Sequence, residues 1–280
     1  MVIAMAGFAI EDAVIKQLSY SMPISQVLML IGLGGILMFG VSAYISRVRL
    51  ISAEIVKPWF VVRTVSELAS AIFFVIAIVY ASLSAASAIL QATPLAVSLA
   101  ASVFLKQHVS FKQWVLITIG FIGVLCVIQP GLDGFKPAAL SAVLGVIFLA
   151  LRDAITRSIS ISIPAIAVSF WAFFALFMAG VVTIPFFGAF GPIEADHLGL
   201  LVLSALAGTG AYFCVVMATR GGDVAVVAPF RYTRLLFALV LAVLFFDEDV
   251  NAMMILGSSL IIGSGIVMIG SSGSRRKQID

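Results

Sequence analysis

Four arginines and four carboxylates fall inside stretches otherwise almost free of charge: Arg63, Arg152, Arg231 and Arg234 against Glu11, Asp12, Glu67 and Asp153. Opposite charges in equal number within apolar sequence can do two kinds of work. They can neutralise one another and fix how helices dock, or they can line a polar cavity that handles a polar solute. A guanidinium facing lipid costs at least about 2.5–3.5 kcal/mol on insertion scales, so each needs a partner or a watery space. Arg63 and Glu67 lie four positions apart, on one helical face, and can pair directly. Arg231 and Arg234 interrupt the apolar run from Val224 to Phe246, long enough to cross a hydrocarbon core of about 30 Å. Their partners must come from elsewhere in the chain.

Two prolines add exposed backbone to this set. Gln91-Ala92-Thr93-Pro94 and Ala228-Pro229-Phe230-Arg231-Tyr232 both lie within apolar runs. A proline in a helix interior frees the carbonyl four residues back, here those of Leu90 and Ala225. At membrane depth such backbone is tolerated only when buried in protein or lining a cavity. Gln91, Thr93 and Tyr232 are therefore candidates for solute contact, and so is Tyr212 in the stretch Gly208-Thr209-Gly210-Ala211-Tyr212. A packing kink filled by a neighbouring side chain accounts for the same residues.

Other chemistry finds little support. His108 and His197 fall in loops at opposite faces and Cys126 and Cys214 lie within apolar runs, so no metal-ligand cluster is expected. There is no phosphate-binding Walker sequence, and no cofactor is expected. An enzyme acting on lipid-linked substrates would need a convergent nucleophile–base or metal constellation at one interface. The polar residues are instead spread over several apolar runs.

The elements that must position these residues follow from composition. Hydrophobic residues make up 62% of 280, charged residues 10%, and the mean hydropathy is +1.22. Soluble domains are nearer 45–50% apolar, so the chain is read as an all-α integral membrane protein. Ten spans are expected: Val2–Leu18, Ile24–Ile45, Trp59–Tyr80, Leu83–Leu105, Ser110–Gln129, Ala138–Ser158, Pro164–Phe187, Leu198–Thr219, Asp223–Phe246 and Asn251–Ser271. The first lacks a basic leader and carries Glu11 and Asp12, so it reads as a retained helix and not a signal peptide. Glycines such as Gly32, Gly35, Gly123 and Gly257 read as points of close helix packing.

Lysine and arginine orient the spans. With the N-terminus inside, inner loops hold Arg47, Arg49, Lys57, Lys106, Lys112, Arg157, Arg220, Arg275, Arg276 and Lys277, against Lys16 and Lys136 outside. That bias places both termini in the cytoplasm. Because the basic residues sort by loop and form no single face, the sequence pI of about 9.0 does not imply nucleic acid.

One offset recurs. Asp12 and Asp153, Pro23 and Pro164, and Val109 and Val250 are each 141 positions apart. The segments around the aspartates, Glu11–Lys16 and Arg152–Arg157, also look alike. A five-helix unit copied once is the simplest source, giving residues 1–130 and 138–271 with a cytoplasmic tail at 272–280. Five is odd, so the second copy enters upside down, an architecture common in secondary transporters with the solute site at the repeat interface.

At this point the chain resembles the drug/metabolite transporter superfamily, EamA type. The residues concerned are Ala92-Thr93-Pro94-Leu95, the series Trp114, Gly120, Gly123-Val124 and Pro130-Gly131, and Val226-Val227-Ala228-Pro229-Phe230-Arg231-Tyr232. The resemblance implies a bacterial inner-membrane carrier of amino acids or related metabolites. Arg231-Tyr232 with Asp153 looks nearest to the S-adenosylmethionine uptake branch, while the ten-helix layout is equally similar to aromatic amino acid exporters. The chain departs from the pattern at Lys106-Gln107, where Gly-Glu is usual; Asp247-Glu248 keeps an acid in the second half. The expected partners are a small-molecule substrate and the bilayer, with proton coupling and a homodimer left open.

Overall fold

The computed structural model describes residues 1–105, 110–129, 136–158, 163–188, 190–221 and 228–276. These form α1 (Val2–Leu18), α2 (Ile24–Ile45), α3 (Pro58–Tyr80), α4 (Leu83–Leu90), α5 (Thr93–Leu105), α6 (Phe111–Ile128), α7 (Ala139–Ser158), α8 (Ala165–Phe187) and α9 (Ala195–Gly221). A 3-10 turn (Ala228–Tyr232), α10 (Thr233–Phe246) and α11 (Ala252–Arg276) complete the described chain. It contains no strand. In lipid every backbone group must be satisfied within the chain, and uninterrupted apolar runs do this as helices.

Among the described residues, eight stretches are long and apolar enough to cross a membrane. Two of the ten expected spans are not among these. α1 has 17 residues and carries Glu11, Asp12 and Lys16. In the ninth, residues 222–227 lie outside the described residues, and the α-helix proper starts only at Thr233. The span expected over Leu83–Leu105 is likewise broken, into α4 and α5. Pro94 falls in the first turn of α5, where a missing N–H leaves no bond unmade. The carbonyl freed at Leu90 accepts the Thr93 hydroxyl at 2.5 Å.

Polar side chains set several helix starts. Ser82 accepts from the Ala85 N–H at 3.1 Å, Ser110 forms a capping box with Gln113, and Asn251 accepts from the Met254 N–H at 2.8 Å. The helices then pack α2 on α8, α3 on α7, α6 on α11, and α1 on both α9 and α10. The short α4, buried at all eight of its residues, sits between α3, α7 and α10. Glycines set the closest approaches. A Cβ on Gly32 would come within 2.5 Å of the Phe177 backbone nitrogen in α8. Gly123 and Gly257 meet backbone to backbone between α6 and α11. Only glycine permits both crossings.

Candidate functional site

Five of the intramembrane charges form one chain. Arg63, fully buried on α3, donates Nη2 to Glu67 Oε2 at 3.1 Å and Nε to the Thr156 hydroxyl at 3.2 Å. Arg152 on α7 donates to the same Glu67 oxygen at 3.0 Å, and its Nε lies 3.0 Å from Asp153. Asp153 in turn lies 3.9 Å from Arg231. Three guanidinium groups therefore share two carboxylates. The surplus sits at the end, where the Arg231 side chain is 43% exposed and makes the longest pair. Nη1 of Arg63 is buried with no hydrogen-bond partner among the described residues. The Arg63–Glu67 pair expected from spacing is present, with Arg152 as a third member.

Arg234 finds Asp12. Its Nε and Nη2 both donate to Asp12 Oδ2, at 3.1 and 2.6 Å, which locks α10 to α1. The guanidinium also lies over the rings of Phe8 and Phe74, at 5.1 and 5.5 Å. Neighbouring Glu11 is different. Its buried carboxylate rests where Gly208 of α9 has no side chain, and no described residue hydrogen-bonds to it.

The remaining candidates divide between the chain breaks and the charge cluster. Gln91, between α4 and α5, donates to the carbonyls of Arg231 and Tyr232 at 3.5 and 3.4 Å, joining the two breaks. Tyr232 is buried, with its hydroxyl against Gly265 of α11 and without a hydrogen-bond partner among the described residues. Tyr212 packs edge-on against Phe39 and Phe173, and lies within electrostatic reach of Glu67, Arg63, Arg152 and Asp153. Trp171 of α8 donates to the Leu50 carbonyl at 3.0 Å. Lys106, Gln107 and Ala225 lie outside the described residues.

Sequence reasoning missed a second polar centre. Lys16 and Glu248, counted as loop charges, are mutually paired and almost fully buried. Glu248 also accepts from the backbone N–H groups of Leu83 and Ser84, at 2.7 and 3.0 Å, and from the Ser84 hydroxyl at 2.6 Å. It thus caps α4 from across the chain and ties it to α1. The visible signal was the acid kept at Asp247-Glu248 when the first half has Lys106-Gln107. Burial alone would raise the Glu248 carboxyl; the bonds from Lys16, Ser84 and Leu83 outweigh it and hold the carboxyl below its usual 4.5. A depressed folded value means the stabilisation is present above pH 4.5 and is lost as pH falls through the folded value. Glu248→Gln should therefore cost about 1.5–3 kcal/mol at neutral pH, read as thermal unfolding in detergent, and flatten the acid limb of the stability profile.

With the charges placed, likeness to known proteins can be weighed. The model of the EamA-like transporter family matches residues 1–129 and 136–270. The chain belongs to that family. With its apolar helices, it is thus a multi-pass membrane protein. It is 25% identical over 192 residues to an S-adenosylmethionine uptake transporter of Rickettsia conorii, and 26% identical over 192 residues to one of Rickettsia felis. Both matches cover 68% of this chain and 64% of the relative, so the chain spans less than two thirds of those relatives. A riboflavin transporter of Rhizobium johnstonii is 25% identical over 194 residues, covering 69% of this chain and 64% of that one. One solved crystal structure superimposes over 98% of each chain with a TM-score of 0.60 at 16% identity, a likeness of fold.

Proposed function

We propose that this protein is a secondary transporter of the bacterial inner membrane that moves a small organic metabolite bearing a carboxylate, such as an amino acid. The observation that carries the reading is the surplus guanidinium at the end of the Arg63–Glu67–Arg152–Asp153–Arg231 chain. An unbalanced, half-exposed cation deep in apolar sequence is costly unless a solute supplies the missing negative charge. Arg231 presents a planar fork that a carboxylate meets bidentately, and Arg63 Nη1 supplies a further donor.

Ten spans in two inverted five-helix units fit this reading. Under the 141-residue offset α1 corresponds to α7, α2 to α8, α3 to α9, α4 and α5 to the 3-10 turn and α10, and α6 to α11. The most extensive helix contacts correspond under this offset. α2–α8 and α6–α11 pair each helix with its own counterpart, α3–α7 exchanges with α1–α9, and α3–α8 with α2–α9. Gln91 and the Tyr232 carbonyl, hydrogen-bonded to each other, are themselves 141 positions apart. Both termini are then cytoplasmic, and alternating access would come from rocking one unit against the other. The buried carboxylates are the groups through which a proton gradient would drive accumulation.

S-adenosylmethionine is the second reading. It carries a carboxylate, and the Rickettsia relatives are named for its uptake. The test is counterflow in proteoliposomes with amino acids, S-adenosylmethionine and riboflavin, with and without an imposed pH gradient. Saturable exchange of at least one carboxylate-bearing solute is expected, and a proton-driven carrier will change its accumulation ratio with the gradient. Exchange of riboflavin alone would contradict the carboxylate reading.

A further inference from the structure

Among the described residues, the intramembrane carboxylate with neither a hydrogen bond nor an ion pair is Glu11, whereas Asp12, Glu67 and Asp153 are each paired with an arginine. The repeat relation shows why. Under the 141-residue offset Glu11 corresponds to Arg152, and Glu67 corresponds to Gly208. In one half the two positions meet as an ion pair, Arg152 to Glu67 at 3.0 Å. In the other the same two positions also meet, but the acid is now Glu11 and the facing residue is a glycine, so close that a single Cβ there would strike the carboxylate. The geometry of a buried ion pair is kept while one of its charges is missing. The nearest guanidinium, Arg234, is already engaged by both nitrogens on Asp12. A buried carboxylate stripped of its partner is costly unless a proton or another cation neutralises it, so this is a place where positive charge is to be supplied.

From this juxtaposition we infer that Glu11 over Gly208 is the cation half-site of the transporter, and takes the ammonium or another alkyl-onium group of an amphoteric solute. The inference rests on the transport reading and deepens it. The helix α1, which carries Glu11, also packs on the 3-10 turn that carries Arg231. A solute of one carboxylate and one ammonium would thereby meet a surplus of the opposite sign at each end. Gly208 belongs to the device as much as Glu11 does. The carboxylate lies where a side chain on Gly208 would be, with Oε1 against the position of a Cβ, so any larger residue would push the acid out of place.

The test compares paired probes on the purified full-length protein in detergent, read as thermal stabilisation. The probes are L-phenylalanine with N-acetyl-L-phenylalanine, and S-adenosylmethionine with S-adenosylhomocysteine, which lacks the sulfonium charge. Wild type is expected to be stabilised more by the member of a pair that carries the extra cation. Glu11→Gln, nearly isosteric, should abolish that preference, and Glu11→Asp should restore part of it. Gly208→Ala should weaken it several-fold although the acid is still there. A purely structural Glu11 would change the melting temperature of the free protein and leave the preference intact, which overturns the proposal. Absence of stabilisation by either cation-bearing probe in wild type counts against it equally. If Glu11→Gln has no effect while Arg231→Lys still removes discrimination between an acid and its ester, the half-site fails and the transport reading stands.

Discussion

Replacing Glu67 with glutamine is expected to be the most damaging single change in the membrane core, costing about 3–5 kcal/mol of stability and abolishing transport. Glu67 is the acid between Arg63 and Arg152 and accepts from both on one oxygen. Without its charge three guanidinium groups would face Asp153 alone. The i, i+4 spacing by itself treats Arg63 and Glu67 as a closed pair, and so predicts that removing both costs less than removing Arg63. Arg152 changes that order. Arg63→Met leaves Glu67 paired with Arg152, and should be the mildest of the three variants. The double variant Arg63→Met with Glu67→Gln should fall between, because Arg152 keeps only Asp153. Thermal unfolding of the three proteins in one detergent reads the order. Full recovery in the double variant would mean that Arg152 takes no part.

How far the sequence reaches is seen in these same residues. Apolar runs placed the helix boundaries closely, with α1 and α2 matching the expected spans at both ends. Lipid leaves the backbone no alternative to internal hydrogen bonds, so the pattern is read almost directly. The partner of Arg63 was legible because both residues share a helix face. Arg234 with Asp12, 222 positions apart, was not, since only the docking of α10 on α1 brings them together. Proline signalled both interruptions, but not that Gln91 would bridge them. The burial of Glu248 was not legible either, because it lies between two expected spans. Its burial depends on the unsatisfied N–H groups at the start of α4, supplied by a distant segment.

The second large effect is expected at Arg231. Lysine there keeps the charge and removes the planar fork, so a carboxylate held bidentately should be lost by about tenfold or more in affinity, roughly 1.4 kcal/mol. A guanidinium serving only to neutralise Asp153 would tolerate the exchange. The pair is 3.9 Å long, and a lysine ammonium can substitute for such a contact. The side chain is also half-exposed, so Arg231→Lys should disturb folding far less than changes at buried Arg63.

The most direct measurement is therefore counterflow in proteoliposomes of wild type and Arg231→Lys, with a transported amino acid and its methyl ester offered side by side. Wild type should exchange the acid and discriminate against the ester, and Arg231→Lys should lose most of that discrimination. Equal exchange of acid and ester by wild type, or full discrimination kept in Arg231→Lys, would contradict a carboxylate held at the end of the charge chain.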